Sequence, residues 1–257
     1  MTVKSGTDSD WQRWGEQNPY YAVLSDDKYL KANLTSDSLQ EFFASGERHI
    51  ERVYDSIRTR IRREFQPARV LDFGCGTGRL VVPFAMRADS VVGIDVSPAM
   101  LNEARANCAE RGIVNAQLLN LDEIDSLQES SFDLLHSFIV FQHIPIARGE
   151  FLLEKLISLL AEGGIGAVHL TYSNTRRAWQ GVSRAYQLLP RVGDWLLNLL
   201  QRRPLNAPRM QMNCYSMNRV FDILLRAHCS NIWIEFSSHG THHGAMVYFE
   251  KVARPLL

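Results

Sequence analysis

The chain has little of what would place it in several large classes of protein. Its four cysteines (Cys75, Cys108, Cys214 and Cys229) form no C-x-x-C pair, which argues against a zinc knuckle or a disulfide framework. Formal net charge is zero, from 28 basic and 28 acidic residues, so no global field draws in nucleic acid. No apolar run reaches the roughly 18 residues of a membrane span, and the opening MTVKSGTDSDWQRW lacks the apolar stretch of a secretory signal. Repeats and low-complexity tracts are absent. With 46% apolar and 22% charged residues the composition is that of a globular protein with reduced thiols, and a cytoplasmic location is expected. At 257 residues it can bury a sizeable core, as one large domain or two small ones.

The most telling segment is VLDFGCGTGRL, residues 70–80. An apolar run reads as a buried strand and ends in alternate glycines, Gly74, Gly76 and Gly78, before a helical pattern starts. Glycines so spaced let the chain turn sharply and let a ligand lie on bare backbone. A dinucleotide fold would need G-x-G-x-x-G; here the third glycine comes one residue early. From residue 69 onward strand and helix patterns alternate, as a parallel sheet requires. Strands are expected at 69–73, 90–94, 116–120, 132–137, 165–171, 231–237 and 245–252. Helices are expected at 78–87, 98–111, 149–161 and 216–228. Before them come helical pieces around 8–17 and 36–45 and an amphipathic helix over 46–65. Residues 174–212 break the rhythm with two helical pieces carrying seven arginines against one acid, Asp194.

The string D-F-G-C-G-T-G-R behind a strand resembles motif I of the class I S-adenosylmethionine-dependent methyltransferases. The resemblance is close over 68–172 and loose over 213–252, and does not reach 1–66 or 174–212. It implies an α/β, Rossmann-like fold with a seven-stranded, mostly parallel sheet whose last strand is reversed. On that frame 1–66 reads as an N-terminal helical cap, 67–257 as the methyltransferase domain, and 174–212 as a helical lid inserted after strand five. The implied cofactor is S-adenosyl-L-methionine, with S-adenosyl-L-homocysteine as product.

The resemblance also assigns roles. Asp72, Gly74, Cys75, Gly76 and Gly78 would cradle the donor, and Arg79 suits its carboxylate or else is an exposed helix arginine. Asp95, 17 residues beyond Gly78, would accept both ribose hydroxyls, because Ser97-Pro98 already supplies the helix cap. Val96 and Met100 would touch the adenine. Asp122 is the acid for the adenine amino group, with Glu123 and Asp125 as competitors. Ser137 offers a carbonyl to the donor's amine and Phe138 a wall. For a hydroxyl acceptor the general base would be His143, His239 or His242; His239, His242 and His243 have no acidic or cysteine neighbour to complete a metal site. Tyr20 and Tyr21 of the cap, Tyr172 at the end of strand five, and Arg176 and Arg177 in the insert are the acceptor's candidate contacts, the arginines favouring an anionic one. The expected activity is methyl transfer to an oxygen or nitrogen of a small molecule or saccharide. Alternatives are an RNA methyltransferase using the arginine-rich insert and a protein that holds the donor without turnover.

Overall fold

A computed structural model describes residues 6–175 and 210–253. Its frame is one seven-stranded sheet in the order β3-β2-β1-β4-β5-β7-β6. The strands are β1 (Arg69–Phe73), β2 (Ser90–Asp95), β3 (Ala116–Asn120), β4 (Phe132–Ser137), β5 (Leu160–Asn174), β6 (Cys229–His239) and β7 (His242–Lys251). Pairings among β1 to β5 are parallel, and β7 runs antiparallel to both β5 and β6. The seventh strand is thus the reversed one, and the carboxyl ends of β1 to β6 share an edge.

Alternation along the strands sorts the core into two layers. Leu71, Phe73, Leu135 and Val168 face helices α6 (Ile146–Leu159) and α7 (Met217–Arg226). Val70, Leu134, Ile165 and Ala167 face the other side, where α3 (Ser36–Arg60), α4 (Val81–Ala85) and α5 (Pro98–Glu110) pack. Two further helices, α1 (Gly6–Gln17) and α2 (Pro19–Val23), lie against α5.

The cap region departs from expectation. The pieces at 36–45 and 46–65 are one 25-residue helix, α3, opened by a Thr35–Ser38 capping box. Gly46 does not break it, because it is where α3 crosses the chain after β1: a Cβ there would lie 2.3 Å from the Arg79 carbonyl. Phe42, Phe43, Gly46, His49, Ile50, Val53 and Ile57 form its buried stripe. The helix expected over 78–87 shrinks to Val81–Ala85, because Gly78 turns at φ +82°. Helix α6 starts early, straight after Pro145, and β5 starts at Leu160, so Gly163 and Gly164 fall inside the strand. Among the described residues no helix is long and apolar enough to cross a membrane.

Candidate active site

The loops after β1, β2 and β4 enclose, with α1 and the segment after α2, a cavity of about 560 Å³. Its floor is the glycine loop. Gly74 and Gly76 stand at φ +77° and +53°, and both line the cavity. The N–H groups of Gly74 and Cys75 donate to the Ile94 carbonyl at 2.7 and 3.0 Å, tying the loop to the end of β2. Cys75 is buried beneath, and desolvation pushes its thiol well up. Gly78 serves packing instead: it faces away, and a Cβ there would meet Ala104 of α5 at 3.3 Å.

Asp95 ends β2 with both carboxylate oxygens engaged. Oδ2 accepts from Gly76 N–H and Oδ1 from Ser97 N–H, each at 2.9 Å. Burial raises its pKa from 3.8 to about 6, against the pull of those backbone donors. The next helix is capped twice over: Ser97 Oγ accepts from Met100 N–H, and Gln12 of α1 accepts from Ser97 Oγ and Ala99 N–H.

Two buried charged residues, Asp72 and Arg79, also line this cavity. Asp72 is 2% exposed, with Oδ1 bonded to His136 and Oδ2 without a partner. Arg79 is 6% exposed; its Nη1 donates to Ser45 Oγ at 3.3 Å, and its Nε is also without a partner. Desolvation lowers the guanidinium pKa to about 10, while the Asp72 charge raises it, so it is cationic at neutral pH. Both side chains line the cavity. An acceptor of cations and a donor to anions, side by side and each with a spare atom, match an α-amino acid zwitterion. Gly76 between them offers bare backbone, and Asp95 a carboxylate. These residues fit S-adenosylmethionine.

The remaining wall is mostly apolar. It includes Val96, Met100 and Leu121 together with Trp11, Val23, Phe138, Ile139, Met210 and Met212. Ile139 has φ +61°, an uncommon conformation for a β-branched residue and one that tends to mark functional sites.

His143 and His242 both reach the cavity. His143 is held at both nitrogens: Nδ1–H donates to the Gln211 carbonyl at 2.7 Å, and Nε2 accepts from the Gln142 amide at 3.1 Å. Thr171 Oγ1 donates to Gln142 Oε1 at 2.6 Å and orients that amide. Burial lowers the His143 pKa from 6.5 to about 4. A histidine neutral in the fold stabilises it above the unfolded pKa, and the stabilisation is lost as pH falls from 6.5 toward 4. The urea midpoint should therefore drop between pH 7 and 5, with His143 supplying about 2 kcal/mol of the loss. In His143→Gln, unfolding curves at the two pH values should show a correspondingly smaller drop; an equal drop would exclude the assignment. His242 opens β7 opposite the end of β5, with Nε2 at 3.0 Å from Asn174 Nδ2.

Several residues singled out in the sequence lie outside this wall. Tyr20 spends its hydroxyl on Asn107 (3.1 Å) and Glu103 (3.3 Å) of α5, pinning α2 down. Tyr21 packs on Trp14, and Tyr172 on Phe236 and His243. Asp122 is exposed on the short turn after β3, where its predecessor Leu121 lines the cavity instead. Ser137 is buried, its Oγ donating to the Phe73 carbonyl at 3.0 Å. His239 faces His242 across the β6–β7 turn; its side chain, with Arg176 and Arg177, falls outside the described residues. Conversely Trp11, Ile139, Met210 and Met212 were not picked out in the sequence, nor were His49 and His136 behind Asp72.

The chain is similar to known methyltransferases. Residues 70–164 match the family described as "Methyltransferase domain". The aklanonic acid methyltransferase of Streptomyces sp. (strain C5) is 38% identical over 100 residues, 37% of this chain and 44% of that protein. A ubiquinone biosynthesis O-methyltransferase of Chelativorans sp. (strain BNC1) is 30% identical over 135 residues, 51% of this chain and 53% of that protein. The chain thus spans about half the length of the curated relatives it matches. The magnesium protoporphyrin IX methyltransferase of Synechocystis PCC 6803, solved with its methyl donor bound, superposes with a TM-score of 0.57 at 15% identity. That likeness covers 98% of this chain and 100% of the other, and concerns the fold.

Proposed function

We propose that this chain, a member of the class I S-adenosylmethionine-dependent methyltransferases, methylates an oxygen or nitrogen of a small, largely apolar acceptor. The observation that carries the reading is one cavity lined by two chemistries, the polar set Asp72, Arg79, Gly76 and Asp95 and the apolar set Trp11, Phe138, Met210 and Met212. Small-molecule acceptors are also what the names of the two curated relatives describe.

When bound, the donor supplies a methyl group already activated on a sulfonium. What remains for the protein is placement. Asp72 and Arg79 hold the amino-acid end by its two charges, and Asp95 holds the ribose hydroxyls. Val96, Met100 and Leu121 cover the adenine. The apolar wall excludes water and sets the acceptor in line; such near-attack placement is worth roughly 7–11 kcal/mol. A hydroxyl acceptor must also lose a proton. His143 and His242 both line the cavity, and each is hydrogen-bonded at both ring nitrogens, so the geometry singles out neither as the base. The apolar wall favours an aromatic or polyketide-like acceptor over a saccharide. An anionic acceptor would depend on Arg176 and Arg177, outside the described residues.

Calorimetry tests the donor, and a radiolabelled methyl-transfer screen tests the acceptor. S-adenosylhomocysteine should bind at micromolar Kd and nicotinamide dinucleotides should not; the reverse preference would overturn the class of reaction. In the screen, hydroxylated aromatic acids should outrun sugars and tRNA, and transfer to tRNA alone would refute the small-acceptor reading.

A further inference from the structure

Asp72 does not stand alone in the floor of the cavity. Parallel register sets it beside His136 on β4, and both point into the layer covered by α3. His136 is 0% exposed, and its Nδ1 lies 2.8 Å from Asp72 Oδ1. Its other nitrogen, Nε2, lies 3.0 Å from Nε2 of His49, which α3 delivers from the cap. His49 is itself 7% exposed and is clamped by Phe138, ring centroids 4.1 Å apart. Phe84 packs against His136 at 5.2 Å. The hydrogen-bond logic runs one way: a carboxylate accepts, so Nδ1 of His136 carries the proton. Nε2 of His136 and Nε2 of His49 then share one proton between them. Burial holds His49 neutral, with a pKa of about 2.

This series of hydrogen bonds also explains why two buried opposite charges, Asp72 and Arg79, keep Oδ2 and Nε unpartnered. Arg79 feels the Asp72 charge, and in a desolvated site the attraction between them is strong. Unless something holds the carboxylate back, the two would close on each other and leave nothing for a ligand.

We propose that His136, seated by His49, is a positioning residue of the donor site: it draws Asp72 away from Arg79 and fixes its rotamer so that Oδ2 receives the ammonium group of the donor's amino-acid end. The proposal rests on the reading of this cavity as an S-adenosylmethionine site. Its consequence is that a helix of the cap, through His49, sets the affinity for one end of the donor.

Two probes separate this from general damage. S-adenosylhomocysteine carries the amino-acid end, and 5′-methylthioadenosine keeps the nucleoside and sulfur but lacks it. Calorimetry on the full chain should show His136→Leu weakening S-adenosylhomocysteine about tenfold or more with 5′-methylthioadenosine unchanged. In His136→Asn the amide Nδ2–H replaces Nδ1–H, so affinity for S-adenosylhomocysteine should recover to within about threefold of wild type. His49→Leu, farther from the ligand, should give the same pattern with a smaller change, and serves if His136→Leu does not fold. In the wild type, the His136 Nδ1 resonance in a long-range ¹H–¹⁵N spectrum should be that of a protonated nitrogen and should shift with S-adenosylhomocysteine but not with 5′-methylthioadenosine. Equal losses for both probes, no loss in folded His136→Leu and His49→Leu proteins, or a bare Nδ1 would each overturn the proposal. Failure of wild type to bind either probe would instead overturn the donor reading.

Discussion

Replacing Asp95 with alanine should weaken S-adenosylhomocysteine binding by roughly 3 kcal/mol, on the order of a hundredfold. Two ribose hydroxyls would lose a charged acceptor in a site that excludes water. The same substitution strips the Gly76 and Ser97 N–H groups of their partner, so the free protein should melt lower as well. Acid should reproduce the first effect. The free carboxylate titrates at about 6, and its ionised form accepts the hydroxyls, so below that pH affinity should fall by up to about tenfold per unit. The sign is opposite for folding. A carboxylate with a raised pKa stabilises the fold in its protonated form, and that contribution disappears as pH rises through 6. Calorimetry from pH 7.5 to 5 on wild type and Asp95→Ala decides it: the wild-type slope should vanish in the variant. A slope that persists would place the titrating group elsewhere.

Gly74→Ala should destabilise the fold by roughly 3 kcal/mol and lower the melting temperature by on the order of 10 °C. Two independent penalties add. At φ +77° any side chain is strained, and the new Cβ would sit 2.2 Å from Cγ2 of Val140, inside any tolerable contact. A second substitution separates them. Val140→Ala removes the two methyl clashes but leaves Cβ of residue 140 at 2.9 Å and the backbone strain, so the double variant should recover part of the loss and never all of it. Denaturant melts of the four proteins test this, and full recovery would show that the backbone conformation carries no penalty.

The glycine-loop half of the cavity was legible because its features are local. Gly74, Gly76, Asp72 and Asp95 lie within or just beyond a single strand–loop–helix segment, where spacing alone implies geometry. The apolar wall was not, because Trp11, Ile139 and Met210 meet only through tertiary folding, and nothing in their neighbours' periodicity marks them. Tyr20 shows the limit from the other direction: an aromatic with a polar tip in the cap suits an acceptor contact equally well, but the α2–α5 packing claims its hydroxyl. His136 interrupts the apolar strand FDLLHSF on a face that must be buried, and a buried imidazole requires partners on both nitrogens.

The helices ahead of β1 are not an exchangeable module. Gln12 completes the cap of α5, Gly46 lets α3 rest on the carbonyl of Arg79, and His49 reaches through to His136. Each contact lands on the frame of the loops after β1 and β2 or on β4. This leading segment, transplanted onto a related fold, should seat only if Ser97, Arg79 and His136 travelled with it.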